Sequence, residues 1–348
     1  MQPQERADRL RIFRQELDQL ELENALRLSP EQRSGLDAHL DQKLKALASQ
    51  YDVDTSESQR QISFGMKIAS ALGGLALCAA LVLFLARYMG LWPTPVQVAV
   101  LAILPFVLTA AAEWAARKET TLYYTSLICV VAFAAFVANL SILGAIFNMA
   151  RTPNALAAWG VFGIALAYHF GLRLVLAAGL ISVLGWVTAE TNVWRGWWWW
   201  EFERRPEELM LAGIAMAALP LILHHAGRAG FPMVYRLVGM LAIFFPMLYL
   251  SAQASGSYFP WDARNIEKFY QVFGMLAASG AVWAGIRRNW RETINTGTAF
   301  FVIFLFVRLV NWWWDWMPKY LFFLLIGLVA IALVAVFKRL RTGLRSAL

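Results

Sequence analysis

The chain has 348 residues, of which 59% are hydrophobic and only 16% charged; an ordinary soluble domain is roughly a quarter charged. Its net charge of +8 conceals a division. Residues 1–61 carry 9 Lys/Arg and 12 Asp/Glu, whereas residues 62–348 carry 22 Lys/Arg and 11 Asp/Glu in short clusters between long apolar runs. Runs of about 20 apolar residues have the length of a bilayer-spanning helix, so the composition excludes a soluble globular chain. A membrane β-barrel is also excluded, because its strands would alternate over about 10 residues. The basic residues flank the apolar runs and read as topology signals, so no nucleic-acid partner is expected.

Residues 1–61 precede the first apolar run, which is the wrong order for a secretory signal peptide. They predict a cytoplasmic helical hairpin and a connector. Leu10, Phe13, Leu17 and Leu20 form one apolar stripe. Ser29, Pro30 and Gln32 make an N-terminal helix signature, with Ser29 as cap and Gln32 in the capping-box position. Leu36, Leu40, Leu44 and Leu47 form a second stripe. Two short helices bury little surface alone, so this segment either closes on itself or docks a protein partner.

Residues 62–340 predict a transmembrane helix bundle, and residues 341–348 a basic cytoplasmic tail. Ten spans are expected: 63–87, 95–115, 121–149, 154–170, 172–189, 208–226, 232–252, 267–286, 294–312 and 318–337. The fourth and fifth are short and separated only by "GLR", which suggests a tight hairpin. Pro105, Pro220 and Pro246 lie within or near spans, where neighbouring helices can tolerate them. Cys78 and Cys129 fall inside apolar runs and read as small buried hydrophobes.

Ten spans put both termini on the same side. With the N-terminus inside, the inner loops and tail hold 12 Lys/Arg and the outer loops 8, the latter balanced by 8 acids. This asymmetry agrees with cytoplasmic termini and a bacterial inner membrane. In that topology 11 of the 16 tryptophans fall at the outer boundary, whereas an aromatic belt populates both interfaces. Two outer segments dominate, "WRGWWWWEFERR" and "NWWWDW". On a helix four consecutive side chains sweep about 300°, and on a strand they alternate, so residues 197–200 cannot all face lipid. Some rings insert into the interface, and the others cover protein or a ligand.

Three stretches resemble a bacterial family of predicted membrane proteins, the one catalogued as domain of unknown function 2157. They are "LSPEQRSGLDAHLDQKL", the first span "ALGGLALCAALVLFLARY", and the C-terminal "RRNWRETINTGTAFFVIFLFVRLVNWWWDWMPKYLFFLLIGLVAIALVAVFKRLR". After the first span the chain reads "RYMGLWPTP", where an Asn-Trp pair is expected. The resemblance implies the architecture and no activity.

No catalytic, phosphate-binding or metal motif appears, and no cofactor is expected. His39 lies on the hairpin, His169 near the end of the fourth span, and His224 and His225 are adjacent and point about 100° apart on a helix. Ionisable residues within spans mark functional candidates. Glu113 stands four residues before Arg117, the order of a helical ion pair. Arg308 stands about one turn inside the outer boundary and either snorkels outward or meets an anion, with Asp315 and Glu201 as protein partners. Arg308, Asp315, Trp198, Trp199, Glu201 and Trp313 are therefore the candidate ligand-binding residues. Outer acids such as Glu207 and Glu208 are expected to pair with Arg204 and Arg205. Membrane lipids are the expected partners.

Three readings stay open. The first is a non-enzymatic membrane scaffold that docks a partner through residues 1–61. The second is a transporter or flippase-like protein for a lipid or amphiphile. The third is a membrane-embedded enzyme using outer carboxylates.

Overall fold

The structure is a computed structural model. It describes residues 3–51, 57–119, 123–149, 152–191, 205–223, 225, 228, 230–254, 256–314, 316–329 and 331. All regular structure among these residues is helical. The chain separates into two compact units, Met1–Arg151 with Tyr168–Val175, and Thr152–Ala167 with Leu176–Leu348.

Unit 1 begins with α1 (Pro3–Leu22) and α2 (Pro30–Tyr51). Asn24 takes a left-handed conformation (φ 55°), and the amides of Ala25 and Leu26 return to the Leu20 carbonyl, which ends α1. The capping box opens α2 as expected. Gln32 N–H donates to Ser29 Oγ at 3.2 Å, and Ser29 N–H donates to Gln32 Oε1 at 3.1 Å. Ala7, Leu17, Leu40 and Leu44 are buried, with Leu10 and Leu47 packed against Ala7 and Leu44.

The second stripe is as read from sequence, but the first is rotated. Phe13 and Leu20 are 49% and 39% exposed. Charge supplies the reason. Arg14 pairs with Asp37 at 3.3 Å and Asp41 at 2.8 Å, and Arg33 pairs with Asp18, with Glu21 at 3.3 Å and with Asp37 at 3.1 Å. These pairs draw the Arg14 face of α1 toward α2. Desolvation works against the charged form of Arg33, but Asp18, Asp37 and Glu21 outweigh it and hold its pKa above the ordinary value.

The remainder of unit 1 is built on α3 (Glu57–Tyr88), α4 (Thr94–Lys118) and α5 (Tyr123–Ile146). Leu85, Met89, Leu101 and Ala138 form their common core. Glu119 caps α5, accepting from the Tyr124 and Thr125 amides at 3.0 Å each and from the Thr125 hydroxyl at 3.1 Å. Pro105 lies inside α4, where the Thr109 hydroxyl donates to its carbonyl at 2.7 Å.

The helices α6 (Asn154–Phe170) and α7 (Arg173–Glu190) meet at Gly171, whose φ of +74° makes the tight turn expected at "GLR". Unit 2 continues with α8 (Glu207–Ile222), α9 (Phe231–Ala252), α10 (Ala263–Arg288), α11 (Arg291–Trp313) and α12 (Lys319–Val329). Its core joins Met210, Phe244, Met247, Tyr270, Phe300 and Phe304. The Phe244 and Phe300 rings stack with centroids 4.8 Å apart. Over half of the α9 span, 56%, is buried, against 28% for each of the spans of α10 and α11, so α9 is the most enclosed of these three helices of unit 2. Gly213 and Gly239 let α8 and α9 touch backbone to backbone; a Cβ on Gly239 would lie 2.6 Å from the Ala217 nitrogen.

Seven helices are long and apolar enough to cross a membrane: Leu72–Leu91, Thr94–Lys118, Tyr123–Ile146, Arg173–Glu190, Phe231–Ala252, Ala263–Arg288 and Arg291–Asn311. The other three expected spans correspond to shorter helices, α6 with 17 residues, α8 with 16, and α12. At 1.5 Å per residue, 17 residues reach roughly 26 Å, somewhat short of a hydrocarbon core of about 30 Å. The count of ten is therefore approximate. The first of these, Leu72–Leu91, begins within the first expected span and continues three residues past the end of α3.

Candidate functional site

Arg308 stands five residues before the end of α11. Its Nη1 donates to Gln271 Oε1 on α10 at 2.5 Å. The Gln271 Nε2 in turn donates to the Ser251 carbonyl at 2.9 Å, and the Ser251 hydroxyl donates to the Leu248 carbonyl at 2.7 Å. Gln271 and Ser251 are both buried. The last four carbonyls of a helix have no partner within it, and Ser251 is in the last turn of α9, which ends at Ala252. Gln271 is therefore a two-ended connector. Its amide nitrogen satisfies an orphan carbonyl of α9, which orients its oxygen toward the cation of α11. Arg308 thus turns to a neighbouring helix within unit 2. Nothing in the sequence reading singled out Gln271, although a lone Gln in an apolar helix was the available signal.

The residue before it serves a second network. Tyr270 donates its hydroxyl to Glu207 Oε1 at 3.1 Å, and the same oxygen accepts from the Ser257 hydroxyl at 2.6 Å and the Tyr258 amide at 3.0 Å. Glu207 opens α8, so its charge also favours the positive end of the helix dipole. Arg205 donates its amide to the Gly256 carbonyl at 2.6 Å, and its guanidinium lies 4.5 Å from the Tyr258 ring centroid. Of the expected pairing of these acids with Arg204 and Arg205, Arg205 stands 3.9 Å from Glu208 and Glu207 is engaged by hydroxyls and an amide, while Arg204 lies outside the described residues. Beside this network the Phe259 and Trp261 rings stack with centroids 4.5 Å apart.

Of the other candidate residues, Trp313 is half-buried in the last turn of α11. Trp198, Trp199, Glu201 and Asp315 lie outside the described residues, as do the rest of the 197–200 run and His224.

Unit 1 carries a separate polar contact. Glu113 accepts from Arg117 Nε at 3.2 Å, the ion pair expected from their spacing, and its other oxygen lies 2.9 Å from His169 Nε2 on α6. His169 is 56 residues away in sequence, so local spacing gave no sign of it. Among the described residues no group of three His, Cys, Asp or Glu side chains could hold a metal ion.

A family model, described as "Predicted membrane protein (DUF2157)", matches residues 40–176. The resemblance read from sequence is shown over that segment. The match holds the first span and its paired glycines, α4, α5 and α6, the Glu113–His169 contact, and the end of the hairpin. Arg308 and the C-terminal stretch lie beyond it. No curated protein and no solved structure matches the chain.

Proposed function

We propose that this membrane protein is a non-enzymatic scaffold of the bacterial inner membrane, with both termini cytoplasmic and the α1–α2 hairpin as its docking module. The observation that carries this reading is the pair Phe13 and Leu20. They stand seven residues apart on one face of α1 and are exposed, while the hairpin's own seam is already filled by Ala7, Leu17, Leu40 and Leu44 and laced by ion pairs. Exposed apolar side chains grouped on one helical face favour a protein partner. The test is to replace Phe13 and Leu20 together with Ser in the full chain and compare native complexes extracted from membranes. Loss of a larger assembly, with insertion and hairpin helicity unchanged, supports the reading. An assembly of unchanged size and composition opposes it.

A second reading is a carrier for a lipid or amphiphile, favoured by Arg308, a cation five residues inside the end of an apolar helix. It predicts that Arg308→Gln abolishes uptake or flipping of an anionic lipid in reconstituted vesicles while leaving insertion intact. Equal rates in the two proteins would remove it.

A further inference from the structure

At one end of unit 2, α10 gives way to α11 in two residues. Asn289 adopts a left-handed conformation (φ 54°), and the Trp290 amide donates to the Gly285 carbonyl at 2.9 Å. This tight reversal gathers four arginines: Arg236 from α9, Arg287 and Arg288 from the end of α10, and Arg291 from the start of α11. Arg236 Nε donates to Glu292 Oε1 at 2.8 Å, and both side chains are nearly buried. The guanidinium carbons of Arg236 and Arg288 lie 4.3 and 5.1 Å from the Trp290 ring centroid, and that of Arg287 lies 4.3 Å from the Trp283 centroid. Trp283 is exposed on the bundle surface.

The charge here is unbalanced. Glu292 offsets Arg236. Among the described residues no carboxylate pairs with Arg287, Arg288 or Arg291, all of which are exposed. The comparable corner at the end of α4 differs. There Arg117 and Lys118 stand with Glu113 and Glu119 in the same stretch of chain. A guanidinium stacked on an indole keeps its in-plane N–H edge available, which is the edge that matches phosphate oxygens. Trp283 lies one helical turn further into the apolar run than Arg287, the depth at which an indole packs under a headgroup. α10 and α11 both have the length and hydropathy of membrane spans, so this corner lies where such spans meet the membrane surface.

We propose that this corner binds the headgroup of an anionic phospholipid, with Arg287, Arg288 and Arg291 on the phosphate and Trp283 against the glycerol and upper acyl chains. The exposed indole beneath the cations selects a lipid over a free anion, since soluble phosphate has nothing to place on it.

Native mass spectrometry of the full chain, released from bilayers containing equal phosphatidylglycerol and phosphatidylcholine, tests this. The wild type is expected to retain phosphatidylglycerol at least tenfold better. Each basic residue at a membrane surface changes the preference by about fivefold. The single variants Arg287→Gln and Arg291→Gln should therefore each lower it by roughly that factor, and Arg287→Gln/Arg288→Gln/Arg291→Gln should bring it close to parity. The single variants keep the test decisive if the triple variant fails to insert. Inorganic phosphate at millimolar concentration should leave the preference in place. Equal retention of the two lipids by the wild type, an unchanged preference in the variants, or abolition by inorganic phosphate would overturn the proposal. The second outcome would leave these charges as orientation signals alone, and the third would point to a free-anion site.

Discussion

The Arg308 guanidinium and the Gln271 amide oxygen are 2.5 Å apart on adjacent helices, and Gln271 reaches on to the last turn of α9. Three helices of unit 2 are thereby tied by one neutral side chain. Gln271→Leu removes both ends of this tie, so it should cost more than Arg308→Met, which leaves the Ser251 bond in place. Interhelical hydrogen bonds in membranes couple by about 0.6 kcal/mol on average and at most about 1.7 kcal/mol. The Arg308→Met/Gln271→Leu cycle, read from unfolding in mixed micelles, is expected to give a coupling of about 1 kcal/mol. Strict additivity would show that the bond contributes nothing to stability.

Arg236 and Glu292 form the most enclosed ion pair described, with side chains only 13% and 11% exposed. Removing one member strands a charge at a site with little water, at a cost of about 3–5 kcal/mol. Arg236→Met and Glu292→Met should each destabilise by that order, and the double variant by much less. The check is the midpoint of denaturant unfolding for the three proteins. Equal losses in the singles and the double would contradict it.

The glycines separate packing from propensity. A Cβ at Gly239 would stand 2.7 Å from the Gly213 carbonyl and 2.8 Å from the Ala217 Cβ, whereas a Cβ at Gly280 meets nothing within 4 Å. Gly239→Ala should destabilise by about 1–3 kcal/mol through overpacking of α8 against α9. Gly280→Ala should stabilise by about 0.4–1 kcal/mol, because alanine leaves the unfolded chain less freedom to lose. Thermal unfolding of the two variants in one detergent compares them directly.

The capping box of α2 is a local device, so its loss should be local. Ser29→Ala is expected to cost about 1 kcal/mol of hairpin stability, seen as faster amide exchange in α2 without change in α10 or α11. Uniform exchange across the chain would contradict this.

Legibility followed the range of each interaction. Ser29 with Gln32 and Glu113 with Arg117 are contacts at fixed short spacing, so the sequence carries them. The apolar runs carry the spans for the same reason, since length and hydropathy are local. The bonds from Arg308 to Gln271, Tyr270 to Glu207 and His169 to Glu113 cross 37, 63 and 56 residues. No periodicity encodes such pairs. The rotated stripe of α1 is the reverse case. Counting apolar positions favoured Phe13 and Leu20 as buried, but Arg14 and Asp18 on α1 answer Asp41 and Arg33 on α2, and charge complementarity chose the face. Of the two tryptophan segments, "WRGWWWWEFERR" lies mostly outside the described residues, while Trp313 and Trp314 close α11.

The central claim is that the exposed apolar face of α1 is a docking surface for another protein. A photoreactive residue in place of Phe13 in the full chain, activated in intact membranes, tests it most directly, with the same residue in place of Gln42 on α2 as control. The account predicts a discrete adduct between the Phe13 position and a protein other than this chain, lost when Leu20 is replaced by Ser and absent from the Gln42 position. Adducts only with lipid or with the chain itself, or equal adducts from both positions, would contradict it.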